Sequence, residues 1–537
     1  MSHSIPTAAG PVAAPALSPR RRTSILVVVC LALMMVVSAV SGLNVALPDL
    51  AVDTGASQTQ LTWIVDAYTL AFVGLLLPLG AMGDRFGRRG VLLFGLVAFG
   101  LGAGLAMTTD DPTTLVALRA LMGVGAAAVM PATLSVITSS FPPEEKGRAV
   151  GVWVGVAGGG AVLGLLASGI LLELFSWSSF FGLNVTLAAV ALAGTLAVIP
   201  SSRDEHAPRL DPVGALLSLV GIVALVFSII EGPERGWADT LTVAGFVVGA
   251  LGLAGFVLWE LRRPDPMLDP RLFRLRGFSA GSLAITVQFF GSFGFFFVIM
   301  QYLQYVEGRS PLMAAVCLLP LPVVLIPLAR RAPVIAGHLG THRVVALGLV
   351  LSATGMLILS RLSLDSSYGF LAVGLVVFAA GMGLAGTPAT TAIVSSLPKS
   401  RQGVASAVND ASRELGSVLG IAILGSALNA AYRDGVAPAT DGLPPQAADA
   451  AESSIAFITR GADQIAAMGP AGDRLVQAAQ QSFVDATGTA FLISAGVLLV
   501  GAVAVWFRAP RDAAAEAVEE PLPEMHEPPA SRVTGGS

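Results

Sequence analysis

Five ionisable residues stand well inside long apolar runs of this 537-residue chain: Asp66, Arg119, Asp410, Arg413 and Glu414. A charge in hydrocarbon is expensive, so such residues usually face a bundle interior or a water-filled cavity and mark a path for ions or substrate. A carboxylate facing a cavity can hold either a proton or a cation, which makes Asp66, Asp410 and Glu414 candidates for exchanging one for the other. Asp410 and Glu414 are four residues apart on one helical face, and Arg413 is three residues from Asp410 and within pairing reach. Such a trio can hold two acids of unlike proton affinity, one neutralised by arginine and one free to titrate. The guanidinium of Arg119 stays charged and needs a partner or water. Each residue also has a plainer reading. Asp66 fits an interfacial helix-end acid, Arg119 a structural tie to a backbone carbonyl or headgroup, and 410–414 a solvated helix start.

The elements that must position these groups are apolar helices. The composition is 54% hydrophobic and 12% charged, too little charge to cover a soluble protein of this size. A span needs about 20 apolar residues, and roughly fourteen stretches qualify: 24–46, 62–82, 90–109, 114–138, 147–169, 178–200, 213–231, 240–260, 278–302, 312–330, 343–361, 368–392, 403–428 and 484–507. Pro320, Pro322 and Pro327 interrupt one of them, which is tolerated where neighbouring helices re-satisfy the backbone. The expected fold class is an all-α polytopic membrane protein.

The basic residues test this map independently. With the N-terminus placed in the cytoplasm, most of them fall in alternate connections, from Arg20, Arg21 and Arg22 to Arg85, Arg88 and Arg89, and on to Arg508. Only Arg235, Arg309, Arg361, Arg433, Arg460 and Arg474 fall on the other side. That bias follows the positive-inside rule and places both termini in the cytoplasm. The expected organisation is a disordered N-terminus (1–23), a first helical unit (24–200), two further spans with linkers (201–277), a second unit (278–507) and a Pro/Glu-rich tail (508–537). Within the second unit, 429–483 reads as a long outside loop with Ala-rich stretches able to form short helices or a hairpin. Such length usually means function or disorder.

Between the second and third spans runs Gly80-Ala81-Met82-Gly83-Asp84-Arg85-Phe86-Gly87-Arg88-Arg89-Gly90. Its glycines permit a tight turn between close helices, and its arginines can meet helix C-termini and anionic headgroups. This segment resembles the signature loop of the major facilitator superfamily. Leu43-Asn44-Val45-Ala46-Leu47-Pro48, Trp63-Ile64-Val65-Asp66-Ala67-Tyr68 and Leu118-Arg119-Ala120-Leu121-Met122-Gly123-Val124-Gly125 resemble its fourteen-span drug:proton antiporters, with the nearest likeness to quaternary-ammonium and multidrug efflux pumps. The likeness runs over nearly all of 24–507 and is strongest in the first half.

That resemblance implies two six-helix bundles with two inserted helices and alternating access driven by protons. It implies proton coupling at Asp66 and Arg119, with acids also in the span of Asp410 and Glu414. Gly80, Asp84, Arg85, Gly87, Arg88 and Arg89 would serve gating, together with Arg413 and the glycines of the fifth span, Gly155, Gly160, Gly164 and Gly169. Glycines four apart let helices touch. Two departures stand out. Leu165 occupies the place of a proline in the antiporter pattern, and Ala39 stands where many relatives carry an acid. The second-half counterpart of the loop, around Gly337-His338-Leu339-Gly340-Thr341-His342-Arg343, has no acid, and its histidines read as facing solvent or headgroups.

Candidate substrate contacts are Asp66, Tyr68, Gln288, Phe289, Phe293, Gln301 and Glu414, because aromatic faces and carboxylates attract organic cations. Packing or lipid contact is the ordinary alternative for the phenylalanines, and helix–helix bonding for the glutamines. Cys30 and Cys317 both lie in apolar runs, so no metal cluster or disulfide framework is expected. No phosphate-binding Gly-x-x-x-x-Gly-Lys-Ser/Thr loop is present, which disfavours an ATP-driven pump. No cofactor and no nucleic-acid partner is expected. The expected partners are protons, small hydrophobic cations and membrane lipids around a monomer in a bacterial cytoplasmic membrane. The leading expectation is proton-coupled export of organic cations. Export of a lipid, siderophore or secondary metabolite, and a non-transporting scaffold or sensor, stand as alternatives.

Overall fold

Several helix starts in this chain are written as a polar cap, some of them followed by a proline. Ser18, Asp111, Asp211 and Ser310 each accept a hydrogen bond from a first-turn backbone N–H, and Pro19, Pro112, Pro212 and Pro311 follow them. The side-chain oxygen satisfies an orphan donor, and the proline supplies the helical φ where no N–H is needed. Ser57 and Gln60 form a reciprocal capping box, which fixes the start of the helix carrying Asp66.

The computed structural model describes residues 18–509 apart from 201–210, 265, 398–401, 442, 462–464 and 466–468, and it leaves aside some helical side chains, among them Asp84 and Gly155. Within these limits the protein is all helical. The order is α1 (Pro19–Ser41), α2 (Leu43–Thr54), α3 (Gln58–Phe86), α4 (Arg88–Ala106), α5 (Pro112–Ser140), α6 (Pro143–Leu174), α7 (Ser178–Val198), α8 (Pro212–Arg235) and α9 (Thr240–Glu260). After a 3-10 turn come α10 (Arg276–Gln301), which ends in a π turn (Tyr302–Val306), then α11 (Pro311–Cys317), α12 (Pro320–Leu339), α13 (Thr341–Leu359) and α14 (Tyr368–Ser395). The chain closes with α15 (Gln402–Thr440), α16 (Pro445–Ser453), α17 (Ile455–Arg460) and α18 (Pro470–Arg508). Among the described residues, 13 helical segments are long and apolar enough to cross a membrane. The expected span 147–169 lies in the 32-residue α6, part of whose side chains fall outside the description.

Three boundaries differ from the expectation. The first apolar run breaks at Gly42, where the backbone passes against Ser168 and Phe180, and α2 continues as a separate short helix containing Pro48. The proline-rich run divides into α11 and α12. The expected loop 429–483 is largely helix, because α15 runs on to Thr440 and α18 already begins at Pro470. A helix need not stop where hydrocarbon stops. Tyr432 donates to the carbonyl of Ala451, and Arg433 lies 3.3 Å from Asp449, so polar residues extend α15 by packing against α16. The N-terminus expected to be disordered over 1–23 is already helical from Pro19, and the tail expected from 508 begins with the last helical residue, Arg508; residues 1–17 and 510–537 lie outside the described residues.

Packing sorts the helices. α3 and α4 flank α5, and α1 packs against α6 and α7. In the second half, α13 packs on α14 and α18, and α10 on α15 and α18. α8 and α9 pair with each other, and α8 also contacts both α3 and α15. Chain continuity brings Pro19, the Arg85–Arg89 turn, the start of α10 and Arg508 to one end of the molecule, here the arginine-rich end. Arg21 and Arg89 donate there to the carbonyls of Val198 and Leu196, and Arg508 donates to Ser279.

Candidate functional site

Why α3 and α5 lie so close is a matter of one glycine. A side chain at Gly123 would collide with the backbone of Tyr68, so only glycine lets the two backbones meet there. The contact brings Arg119 against the helix of Asp66. Arg119 is fully buried, its Nε donates to the carbonyl of Ile64 at 3.0 Å, and its guanidinium sits 4.4 Å from the centre of the Tyr68 ring. Its Nη1 and Nη2 have no hydrogen-bond partner among the described residues. The Tyr68 hydroxyl donates to the carbonyl of Val36 at 3.1 Å. The backbone tie of the plainer reading is present, and it uses one donor of the fork.

Asp66 is fully buried, and neither carboxylate oxygen has a hydrogen-bond partner among the described residues. It is not the interfacial helix-end acid of the plainer reading. An unpaired ion buried in protein costs several kcal/mol, while a cation over an aromatic face returns about 0.5–2 kcal/mol. The local contacts do not offset the burial of these two groups. A proton, a cation, water or a change of shape can do so.

The second constellation is built differently. Arg413 Nη1 stands 3.9 Å from Asp410 Oδ1, with 41% and 25% of the two side chains exposed. The Arg413 guanidinium also lies 4.7 Å from the Phe289 ring centre, and Phe289 stacks on Phe293 at 5.9 Å. Gly416 and Gly420 allow this approach, because a side chain at either would meet the α10 backbone at Thr286 or Phe290. Glu414 is half-buried. Gln288 is buried and accepts from Ser352 at 3.4 Å, with its Nε2 left over. Gln301 is buried and donates to its own helix at Phe297, with its Oε1 left over.

Direct hydrogen bonds between the first and second halves, among the described residues, stand at the end remote from the arginines. Asn429 donates to Thr59 at 3.0 Å, Gln304 to the carbonyl of Val45 at 3.0 Å, and Tyr305 to the carbonyl of Pro48 at 3.2 Å. Gly169 of α6 abuts Leu312 of α11. Thr62 abuts Gly425 one turn along α3. Counting about 1.5 Å per helical residue from the Thr59–Asn429 bond, Asp66 lies about 10 Å and Glu414 about 22 Å toward the arginine-rich end. The acids therefore occupy two levels of one seam.

The gating candidates of the Gly80–Arg89 segment lie at the arginine-rich end, and the α6 glycines lie farther along the molecule. Gly87 has φ 116° and joins α3 to α4, a conformation that side chains resist. Gly340, φ 89°, makes the matching turn between α12 and α13. Arg85 lies 5.8 Å from the Phe86 ring, and Gly80 approaches Pro131 of α5. Gly160 and Gly164 press against α1 at Val37 and Ser38. The side chain of Asp84 and the surroundings of Gly155 lie outside the described residues. One expectation is corrected. His338 is exposed, but His342 is buried, its ring 5.7 Å from that of Trp506.

The sequence reading missed Glu231. Its Oε1 accepts from Trp63 Nε1 at 2.8 Å and its Oε2 from Arg235 at 2.6 Å. Ser426 of α15 donates to the carbonyl of Ile229 at 2.6 Å. α8 is thus bonded to both helices that carry the acids. An acid at the edge of the apolar run 213–231 was the available signal, but its partner lies far away in sequence.

Comparison with known proteins is consistent across sequence and shape. The family model of the Major Facilitator Superfamily matches residues 29–421. The chain is 37% identical to the puromycin resistance protein pur8 of Streptomyces alboniger, over 76% of this chain and 81% of the relative. It is 32% identical to the methyl viologen resistance protein SmvA of Salmonella typhimurium, over 90% and 97%. Among solved structures, a bacterial homolog of the human lysosomal transporter Spinster, in an inward-facing, unoccupied conformation, shares the fold with TM-score 0.66 and 17% identity, covering 92% of this chain and 99% of that one.

Proposed function

The chain belongs to the major facilitator superfamily, within its multidrug and drug-resistance efflux family, and on that premise we propose that it exports hydrophobic organic cations in exchange for protons by alternating access. The family is one of secondary transporters rather than enzymes. The observation that carries the reading is a fully buried Asp66 that has no hydrogen-bond partner among the described residues, on the same helix that Arg119 packs against with donors unused there. A site that binds either a proton or a cation, but not both, couples the two flows without further machinery. Rocking of two bundles about a central site is the general mechanism of such transporters. The fourteen-span reading, with α6 as the fifth span and α8–α9 inserted between six-helix bundles, fits the packing pairs. The arginine-rich end is then the cytoplasmic one, with both termini inside.

The bonds between halves at the remote end, and the partly exposed Asp410, Arg413 and Glu414, support assigning this conformation as closed outside and reached from the cytoplasm. In this reading, cargo enters past Glu414, Phe289 and Phe293 and advances toward Asp66, where its charge displaces the proton. Tyr68 shapes the floor of the site and holds Arg119, while Gln288 and Gln301 supply spare polar atoms. The relative that confers methyl viologen resistance supports an organic cation as cargo. The relative named for puromycin resistance favours a second cargo class, an antibiotic-like secondary metabolite.

The test is flux in proteoliposomes with an imposed pH gradient and a panel of quaternary ammonium compounds, methyl viologen and puromycin. Cation uptake into the acidic lumen of vesicles with the transporter's cytoplasmic face outward is expected, collapsing when the gradient is dissipated. No flux of any organic cation in either gradient direction would sink the reading.

A further inference from the structure

On the surface away from the seam, α10 and α18 diverge and leave an apolar slot of about 400 Å3. Leu283 and Val287 form one wall, and Ile493, Gly496, Val500 and Ala504 form the other. Leu283, Ile493 and Val500 are exposed, so the slot faces the bilayer. Gly496 has open space where a side chain would stand. From Ile493 to Ala504 the helix advances about 16 Å, close to the ~15 Å depth of one hydrocarbon leaflet.

One turn beyond Ala504 the slot is closed by Arg508. Its guanidinium donates to Ser279 Oγ at 3.0 Å and to the carbonyls of Phe273 and Arg274 at 3.2 and 3.1 Å. Arg274 and Arg276, at the same helix start, are exposed. Basic residues immediately beyond a span attract anionic headgroups. We propose that this slot binds an anionic phospholipid, one acyl chain lying along Gly496 and the phosphate held by Arg274, Arg276 and Arg508. The charge and the leaflet-length trough select this occupant over a zwitterionic lipid, and over a second protein copy, which would need no basic end.

Native mass spectrometry of the full-length protein in mild detergent, titrated with phosphatidylglycerol or phosphatidylcholine of matched chains, tests the site. The wild type is expected to retain more phosphatidylglycerol than phosphatidylcholine. Replacing Arg274 and Arg276 together by Gln should erode that preference by about fivefold or more for each arginine lost. Gly496→Leu should fill the trough and lower bound phosphatidylglycerol with an unchanged elution profile, and Ala504→Leu should do the same from the other end. Equal retention of both lipids by the wild type would overturn the proposal. So would undiminished phosphatidylglycerol on both trough-filling variants that elute as the wild type, or a lipid-free dimer that Gly496→Leu dissolves.

Discussion

Asp66 of α3 and Arg119 of α5 on one side, and Asp410 with Arg413 and Glu414 of α15 on the other, are charges held in opposite ways. In the first, both residues are fully buried, the acid has no hydrogen-bond partner among the described residues, and the arginine gives one donor to a backbone carbonyl. In the second, acid and base approach to 3.9 Å with a quarter or more of each side chain exposed. A pair that solvent can reach is cheap to keep and weakly coupled to shape. An unpartnered ion pocket is costly, and its cost changes whenever a proton, cation or helix moves. The difference teaches where to look for coupling: the dry level should respond to transport, and the wet level should tune entry.

The largest effect that would break this contrast is at Arg119. Arg119→Lys keeps the charge but loses the planar stacking on Tyr68 and the fixed Nε bond, and guanidinium and ammonium are not interchangeable at such a site. Transport should fall by about tenfold or more in a vesicle flux assay, while Arg413→Lys should retain most activity. Equal losses at both would erase the distinction. Next comes Glu414→Gln, which should weaken apparent substrate affinity several-fold with little change in maximal rate. A rate effect as large as that at Arg119 would move coupling to the wet level.

A third test concerns the bonds that close the seam above Asp66. Removing the Asn429–Thr59 bond with Asn429→Ala costs about 1 kcal/mol, or about fivefold in the balance of conformations. Thiol labelling of a cysteine placed at Thr62 should rise accordingly. No change in labelling would mean that this bond does not hold the seam.

The smallest expected effect lies outside the spans. Burial, and then the charges of Asp53 and Glu173, push the Asp49 carboxyl up to about 6. Its folded value exceeds the ordinary 3.8, so the folded protein holds this proton more tightly than the unfolded chain does. The stability it supports is present below about pH 4 and is lost as pH rises through about 6. Thermal unfolding of Asp49→Asn should therefore show a shallower decline between those values than the wild type, by a few degrees. Parallel profiles would contradict it.

Much of this was legible in the sequence for one physical reason: apolar runs and costly charges are properties of single residues. Most of the spans and the turn at Gly87 follow from polarity and glycine alone, and Asp66 and Arg119 stand out as charges inside apolar runs. What could not be read depends on partners. α15 outruns its apolar stretch because Tyr432 and Arg433 find α16. His342 is drawn inward by Trp506, a contact across the fold. Glu231 stands at the end of the apolar run 213–231, and its bond to Trp63 makes α8 part of the α3–α15 seam. The second-half acids were visible as a helical face, but their exposure depends on which end of the seam is open.

The central claim, that Asp66 exchanges its proton for cargo, is tested most directly by substrate-driven proton release from purified protein. Adding a transported organic cation to the wild type should release protons, and Asp66→Asn, with an unaltered elution profile, should release none. Unchanged release from Asp66→Asn would contradict the account.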